Sequence, residues 1–297
     1  MHNFKIPLPK LFSWEKMRAY FTHSDKEILH FLEEEWLYKW LKDDGDGIIF
    51  RVRVSHDISE AEVQALNPKV LTGVQEEALR SFVEEWWDLR RDLQAFYHVA
   101  SKDHLLAPLI EANPGLRIGG IPDLWECAVW SIVGQQVNIS FAFTLKNRLI
   151  NAYGNKKKWE GMTFWQFPDP ESLVNSSIDE LKELAISQRK AEYIKGFAEL
   201  ILSGEISKRE LQGFSTAIEA SERLKKIRGI GKWSSNYILL RCLRYPDAFP
   251  LGDAALYNAV RDLTEMERKP TDDELLELAK PWKGWEAYAT YYLWYGK

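Results

Sequence analysis

From Leu224 to Arg244 the chain reads LKKIRGIGKWSSNYILLRCLR, and FPLGDAAL follows it with an acid at Asp253. No other stretch constrains the fold as strongly. Two glycines, Gly229 and Gly231, separate a helical run ending at Ile227 from another starting near Lys232. Glycine lets the backbone turn through positive φ and lets another backbone approach closely. A Gly-x-Gly turn feeding a helix start presents unpaired N–H groups and the positive end of a helix dipole, which suits a phosphate. The spacing therefore predicts two helices joined by a tight glycine turn that could bind a phosphate.

Charge sharpens that expectation. From Arg223 to Arg244 there are seven basic residues, Arg223, Lys225, Lys226, Arg228, Lys232, Arg241 and Arg244, and no acid, although the whole chain carries a formal charge of −5. A nucleic-acid partner would have to be gripped by this local patch rather than by overall charge. Cys127 and Cys242 are the only cysteines, too few for a disulfide framework or an iron–sulfur cluster. They read as buried free thiols of a reducing, cytoplasmic protein. No HExxH and no Cys/His cluster is present, so a metal held by side chains is not expected. No apolar stretch of signal-peptide or membrane length opens the chain.

Residues 1–80 read as a mixed α and β domain. Ser13 caps a short helix, and EEWLYKWLK pairs with IIFRVRV across DDGDG as an antiparallel hairpin. Beyond about Val74 strand patterns vanish, so 81–297 reads as an all-α domain. VQEEALRSFVEEWWDLRRDLQAFYHVA reads as a long, interrupted helical stretch. Asp123 and Glu126 form a capping-box pattern ahead of LWECAVWSIV, which is apolar on nearly every side and therefore a central buried helix. Ser187 and Thr216 open two further helices.

Several residues could carry chemistry. Asp253 precedes ALYNAVRDL and is a good N-cap. A carboxylate fixed at a helix start also meets the need of a reaction that develops positive charge on a sugar. Trp233 and Tyr237 share a helix face at i, i+4, either as core aromatics or as one wall of a pocket that stacks a planar ring. Tyr288, Tyr291, Tyr292, Trp294 and Tyr295 crowd the last helix, where one or two could form the opposing wall. Gln135 and Gln136 follow Gly134 in an otherwise apolar setting. They mark either a helix end or polar side chains that fill a gap in a base stack. Arg189 and Lys190, at a helix start, are surface charges or further phosphate contacts.

This pattern of hairpin, helix, short loop and aspartate resembles the helix–hairpin–helix DNA glycosylase superfamily. RDLQAFY, LLAPLI, NPGLR, WECAVWSIVGQQVNIS, ISQRKAEYI and YATYYLW are similar to its alkylated-base branch, the DNA-3-methyladenine glycosylase II group. The resemblance runs from about residue 85 to the end. It implies an α+β fold: a small antiparallel-sheet N-terminal domain of TATA-binding-protein-like shape, then a mainly helical body split by an active-site cleft. It implies a monofunctional enzyme of base excision repair that flips an alkylated purine from damaged double-stranded DNA and hydrolyses its N-glycosidic bond. The catalytic aspartate falls on Asp253, the base pocket on Trp233, Tyr237 and Trp294, and the inserted wedge on Gln136. DNA contacts fall on the hairpin, Arg228, Gly229, Gly231 and Lys232, with Arg189 and Lys190 beside it.

The resemblance further implies no cofactor beyond a monovalent cation held by backbone carbonyls at Gly229–Gly231, and action as a monomer. Two departures stand out: Gly252 occupies a position where the group often has a second Asp, and Gln136 stands at the wedge where some relatives have an apolar side chain. Trp233 stands where glycosylase/lyases of oxidised bases put a nucleophilic lysine. Lys232 is one residue away, about 100° around the helix. Schiff-base chemistry is therefore not expected. A non-catalytic hairpin module that binds or senses DNA damage is the competing reading, and excision of a base separates the two.

Overall fold

A computed structural model describes residues 2–295. The N-terminal sheet has strand order β1-β5-β4-β3-β2 and is antiparallel throughout. Its strands are β1 (His2–Pro7), β2 (His30–Glu33), β3 (Trp36–Leu41), β4 (Ile48–Val54) and β5 (Glu60–Asn67). The hairpin expected across DDGDG is β3–β4, with Leu41 opposite Ile48. Helix α1 (Trp14–Phe21) begins where Ser13 accepts from Lys16 N–H.

Strand alternation gives the sheet two apolar faces. Ala61, Val63 and Ala65 of β5, with Phe50 and Val52, pack on α1 and on α2 (Gly73–Trp86). Trp36, Tyr38, Trp40 and Ile49 face the other way. What covers them corrects the expectation of an all-α body. Residues 81–297 contain a two-stranded hairpin, β6 (Lys156–Trp159) and β7 (Met162–Trp165), whose Phe164 packs in this second cluster. The turn residues Glu160 and Gly161 both have positive φ, 47° and 82°, a geometry that matches the twist of paired strands. The lysines of KKKW hid the alternation.

The rest of the body is helical. Helix α2 stops at Trp86 and α3 (Gln94–Ala100) restarts after a break, as expected for that interrupted stretch. Then come α4 (Leu106–Ala112) and α5 (Leu124–Val133), in which every residue but Glu126 is buried. Asp123 caps α5 by accepting from Glu126 N–H at 2.6 Å. The capping box is only half made, because the Glu126 carboxylate turns to Lys146 instead, at 3.4 Å.

Helix α6 (Ile139–Tyr153) is followed by α7 (Pro170–Asn175), α8 (Ile178–Glu183), α9 (Gln188–Leu202), α10 (Lys208–Gln212) and α11 (Ala217–Lys225). Ser187 and Thr216 cap α9 and α11 as expected. The hairpin leads into α12 (Lys232–Ile238), which continues as a π-helical turn at Leu239–Leu243. The chain closes with α13 (Ala254–Leu263), α14 (Asp272–Leu278) and α15 (Glu286–Tyr295). Most of the body's apolar side chains form one continuous core. Cys127 and Cys242 lie in it as free thiols. Among the described residues no helix is long and apolar enough to cross a membrane.

Candidate active site

The hairpin between α11 and α12 needs only one of its glycines for conformation. Gly229 has φ +94°, and a Cβ there would sit 2.3 Å from the Tyr193 ring. Gly231 has φ −94° and open space around it, so any residue could adopt its backbone. What Gly231 supplies is bare backbone at the start of α12, a helix that no side chain caps. Gln135 buttresses the turn by donating its amide N–H to the Gly229 carbonyl at 2.8 Å and to Ser234 Oγ at 3.0 Å.

Folding spends much of the basic patch. Arg241 turns inward, donating to the Gly119 carbonyl and to the Tyr237 hydroxyl, and is 4% exposed. Arg244 binds the carbonyls of Ile118 and Glu85. The π-helical turn directs both to backbone carbonyls that the core would otherwise strand. Arg223 pairs with Glu210, Lys225 with Glu222, Arg228 with Glu192 and Lys232 with Asp272. Lys225, Lys226, Arg228 and Lys232 remain exposed around an open groove that also touches Gly229, Gly231 and Trp233.

Asp253 is both a helix cap and the centre of a cage. Its Oδ1 accepts from Leu256 N–H at 2.8 Å, which starts α13. The Trp294 indole N–H reaches the same oxygen at 2.9 Å, and the Trp233 indole N–H reaches Oδ2 at 2.8 Å. Three donors on one carboxylate suit an anion held in a single orientation. The two readings of Asp253 therefore describe one geometry. Trp233 and Trp294 are half-buried, so the carboxylate sits at the edge of solvent rather than in the core.

Tyr237 joins these aromatics, its ring centroid 5.3 Å from Trp233 and 6.3 Å from Trp294. Its hydroxyl accepts from the Trp130 indole N–H at 2.8 Å. Burial pushes that phenol well above its ordinary range, so it stays neutral. Two α15 tyrosines are structural: Tyr291 takes the Gly119 N–H, and Tyr292 bonds Tyr97. Of that crowded helix, Trp294 is the one that meets Asp253.

The remaining expected contacts divide. Gln136 is exposed at φ 55°, just past the end of α5, while Gln135 is the glutamine that folding engages. Arg189 is exposed. Lys190 does not project as a phosphate contact; its ammonium donates to the carbonyls of Val133 and Gln135, both at 2.8 Å. Those carbonyls end α5 and have no helical partner of their own.

Three supports of the site had no evident signal in sequence. Asn236 Oδ1 accepts from Phe249 N–H at 3.1 Å. Gly252, at φ +88°, donates its N–H to the Tyr257 hydroxyl, which donates to Asp272. Together they fix the loop that carries Asp253. The positive φ also accounts for glycine, rather than a second Asp, at position 252.

A family model described as HhH-GPD superfamily base excision DNA repair protein matches residues 129–284. One described as 8-oxoguanine DNA glycosylase, N-terminal domain, matches residues 12–128. The chain is 38% identical over 290 residues to a DNA-3-methyladenine glycosylase of Bacillus subtilis, covering 97% of this chain and 95% of that protein. With DNA-3-methyladenine glycosylase 2 of Escherichia coli it shares 29% identity over 64% of each. A 3-methyladenine DNA glycosylase structure from Archaeoglobus fulgidus superposes with a TM-score of 0.84 at 22% identity, over 98% of this chain and 97% of that one. That likeness is one of fold.

Proposed function

The chain belongs to the HhH-GPD superfamily of base excision DNA repair proteins, and on that premise we propose that it is a monofunctional DNA-3-methyladenine glycosylase with Asp253 as its catalytic residue. The observation that carries this reading is the caged carboxylate: Asp253 held by Trp233, Trp294 and the start of α13 beside an aromatic wall.

An alkylated purine must leave the stack before a side chain can reach its glycosidic bond, at a cost of a few kcal/mol. The bare N–H groups at Gly231 and the exposed lysines of the hairpin groove would hold backbone phosphates without reading sequence. Gln136, exposed beside them, would enter the gap. Tyr237, Trp233 and Trp294 offer electron-rich faces to the extruded base, and a cationic ring gains most from them. When the bond to C1′ breaks, the electron pair leaves with the purine and positive charge develops on the sugar. The Asp253 carboxylate stabilises that charge, and water then attacks C1′ and loses a proton to solvent.

Lys232 is engaged with Asp272 at 3.2 Å, and Trp233 is no nucleophile, which supports hydrolysis without a covalent enzyme–DNA adduct. The hairpin carbonyls of Ile227, Gly229 and Gly231 already accept from Ile230, Gln135 and Ser235. No step here uses a cation at the hairpin. The buried free thiols support a reducing, cytoplasmic setting, and a single chain carries every residue the mechanism needs, which supports action as a monomer. The test is release of free 3-methyladenine from methylated duplex DNA, resolved by chromatography. Tight binding to damaged DNA with no base released from any lesion would favour the non-catalytic module instead.

A further inference from the structure

A cavity of about 90 Å³ lies behind Tyr237, between the N-terminal domain and the body. Tyr237 and Trp130 form part of its wall, and Ile139, 60% exposed and three residues past Gln136, stands at its rim. Its floor is not apolar. Lys146 of α6 lies 3.0 Å from Glu27 of the N-terminal domain and 3.4 Å from Glu126 of α5, with its ammonium 5.5 Å from the centre of the Trp130 ring. The Lys146 side chain is 7% exposed, and those of Glu27 and Glu126 are 11% and 15%.

The hydrogen bonds on this floor do not close. Each oxygen of Glu27 has a donor, Leu29 N–H on Oε1 at 2.8 Å and Lys146 on Oε2 at 3.0 Å. Glu126 approaches Lys146 with Oε1 at 3.4 Å, and among the described residues no hydrogen bond to its Oε2 is made. An ammonium has three N–H donors and no acceptor, so with two carboxylates beside it Lys146 keeps one N–H for something else. Buried polar groups of this strength are costly when left half-satisfied. Burial opposes the charge on Lys146, but Glu27 and Glu126 outweigh it and raise its pKa. The donor is therefore permanent at neutral pH.

We infer that this cavity is a base-reading subsite, in which one Lys146 N–H and the free oxygen of Glu126 form an adjacent donor–acceptor pair for the Watson–Crick edge of an extruded purine. The inference rests on the glycosylase reading above and adds a substrate class to it. The pair fits a base that carries an acceptor next to an N–H donor. Guanine offers its 6-oxo group and N1–H, and adenine its N1 and 6-amino group. The aromatic wall is indifferent to those groups; the floor selects for them.

The test uses two duplexes, each with one N7-methylated base, either 7-methylguanine or 7-methylpurine. Both are cationic leaving groups, and only the first has the donor–acceptor edge. Single-turnover release is measured for each and corrected for uncatalysed loss. Wild type should release 7-methylguanine about tenfold faster or more, as expected of a site built to hydrogen-bond its substrate. Lys146→Met should cut that preference to about threefold or less. Glu126→Gln should do likewise, and it carries the test if Lys146→Met does not fold, since it preserves shape while replacing one acceptor oxygen by an N–H₂ donor and removing the charge that holds Lys146. Equal release of the two bases by wild type, or a parallel fall for both in the variants, would show a purely structural ion cluster and overturn the inference. A wild type that releases neither base, and no 3-methyladenine from methylated DNA, overturns the glycosylase reading itself.

Discussion

Trp233 donates its indole N–H to Asp253 at 2.8 Å, so the first turn of the hairpin helix and the cap of α13 are joined by one bond. The hairpin that would grip DNA and the carboxylate that would act on the sugar therefore move together. Replacing Trp233 with Phe keeps an aromatic face and removes the donor. We expect release of 3-methyladenine to slow about tenfold, the worth of one charge-assisted hydrogen bond at a half-buried site, with a similar affinity for abasic duplex. Single-turnover kinetics beside a binding titration will check this.

Asp253→Asn separates capping from chemistry. Asparagine is as good an N-cap as aspartate, so α13 should survive, but its amide presents an N–H₂ group to one of the two indole donors. The expected loss in excision is about 10²-fold or more, with thermal unfolding lowered only modestly. Excision at the wild-type rate would sink the mechanism.

The two hairpin glycines should behave differently. Gly229→Ala puts a methyl group into the Tyr193 ring and an L side chain at φ +94°, and should cost about 1–3 kcal/mol. Gly231→Ala meets no neighbour and should change stability by less than about 0.5 kcal/mol. Urea unfolding of the pair gives the comparison directly.

His30 makes stability sensitive to acid. Burial lowers its pKa from 6.5 to about 4, so the folded state holds a neutral imidazole. Between those two values the unfolded chain binds the extra proton, and stability falls as pH drops from 6.5 towards 4. The neutral ring donates its Nε2–H to the Phe21 carbonyl at 3.1 Å and packs edge-on against Trp86. His30→Gln should flatten this limb of the stability–pH curve, measured by urea titration at pH 7, 6, 5 and 4.

Local chemistry was legible along the chain: Ser13, Asp123, Ser187, Thr216 and Asp253 cap helices because a short polar side chain answers the first free N–H groups wherever a helix begins. The buried character of α5 and the β3–β4 hairpin were equally plain, since apolar periodicity and turn residues are properties of neighbours in sequence. The resemblance also drew Trp233, Tyr237, Trp294 and Asp253 together before any coordinates did.

Only the tertiary structure decided which charges are free and which polar atoms are spent. Seven basic residues read as one patch, yet Arg241 and Arg244 go to buried carbonyls and Lys190 to the end of α5. The β6–β7 hairpin exists because the far face of the sheet needs Phe164, a demand made more than a hundred residues away. Tyr257, Asp272 and Asn236 hold the Asp253 loop from three different helices. The sequence determined the types and order of these groups. Which of them meet was decided by packing, because a buried donor or charge takes whatever partner the fold brings within reach, and that distance is not a property of the chain.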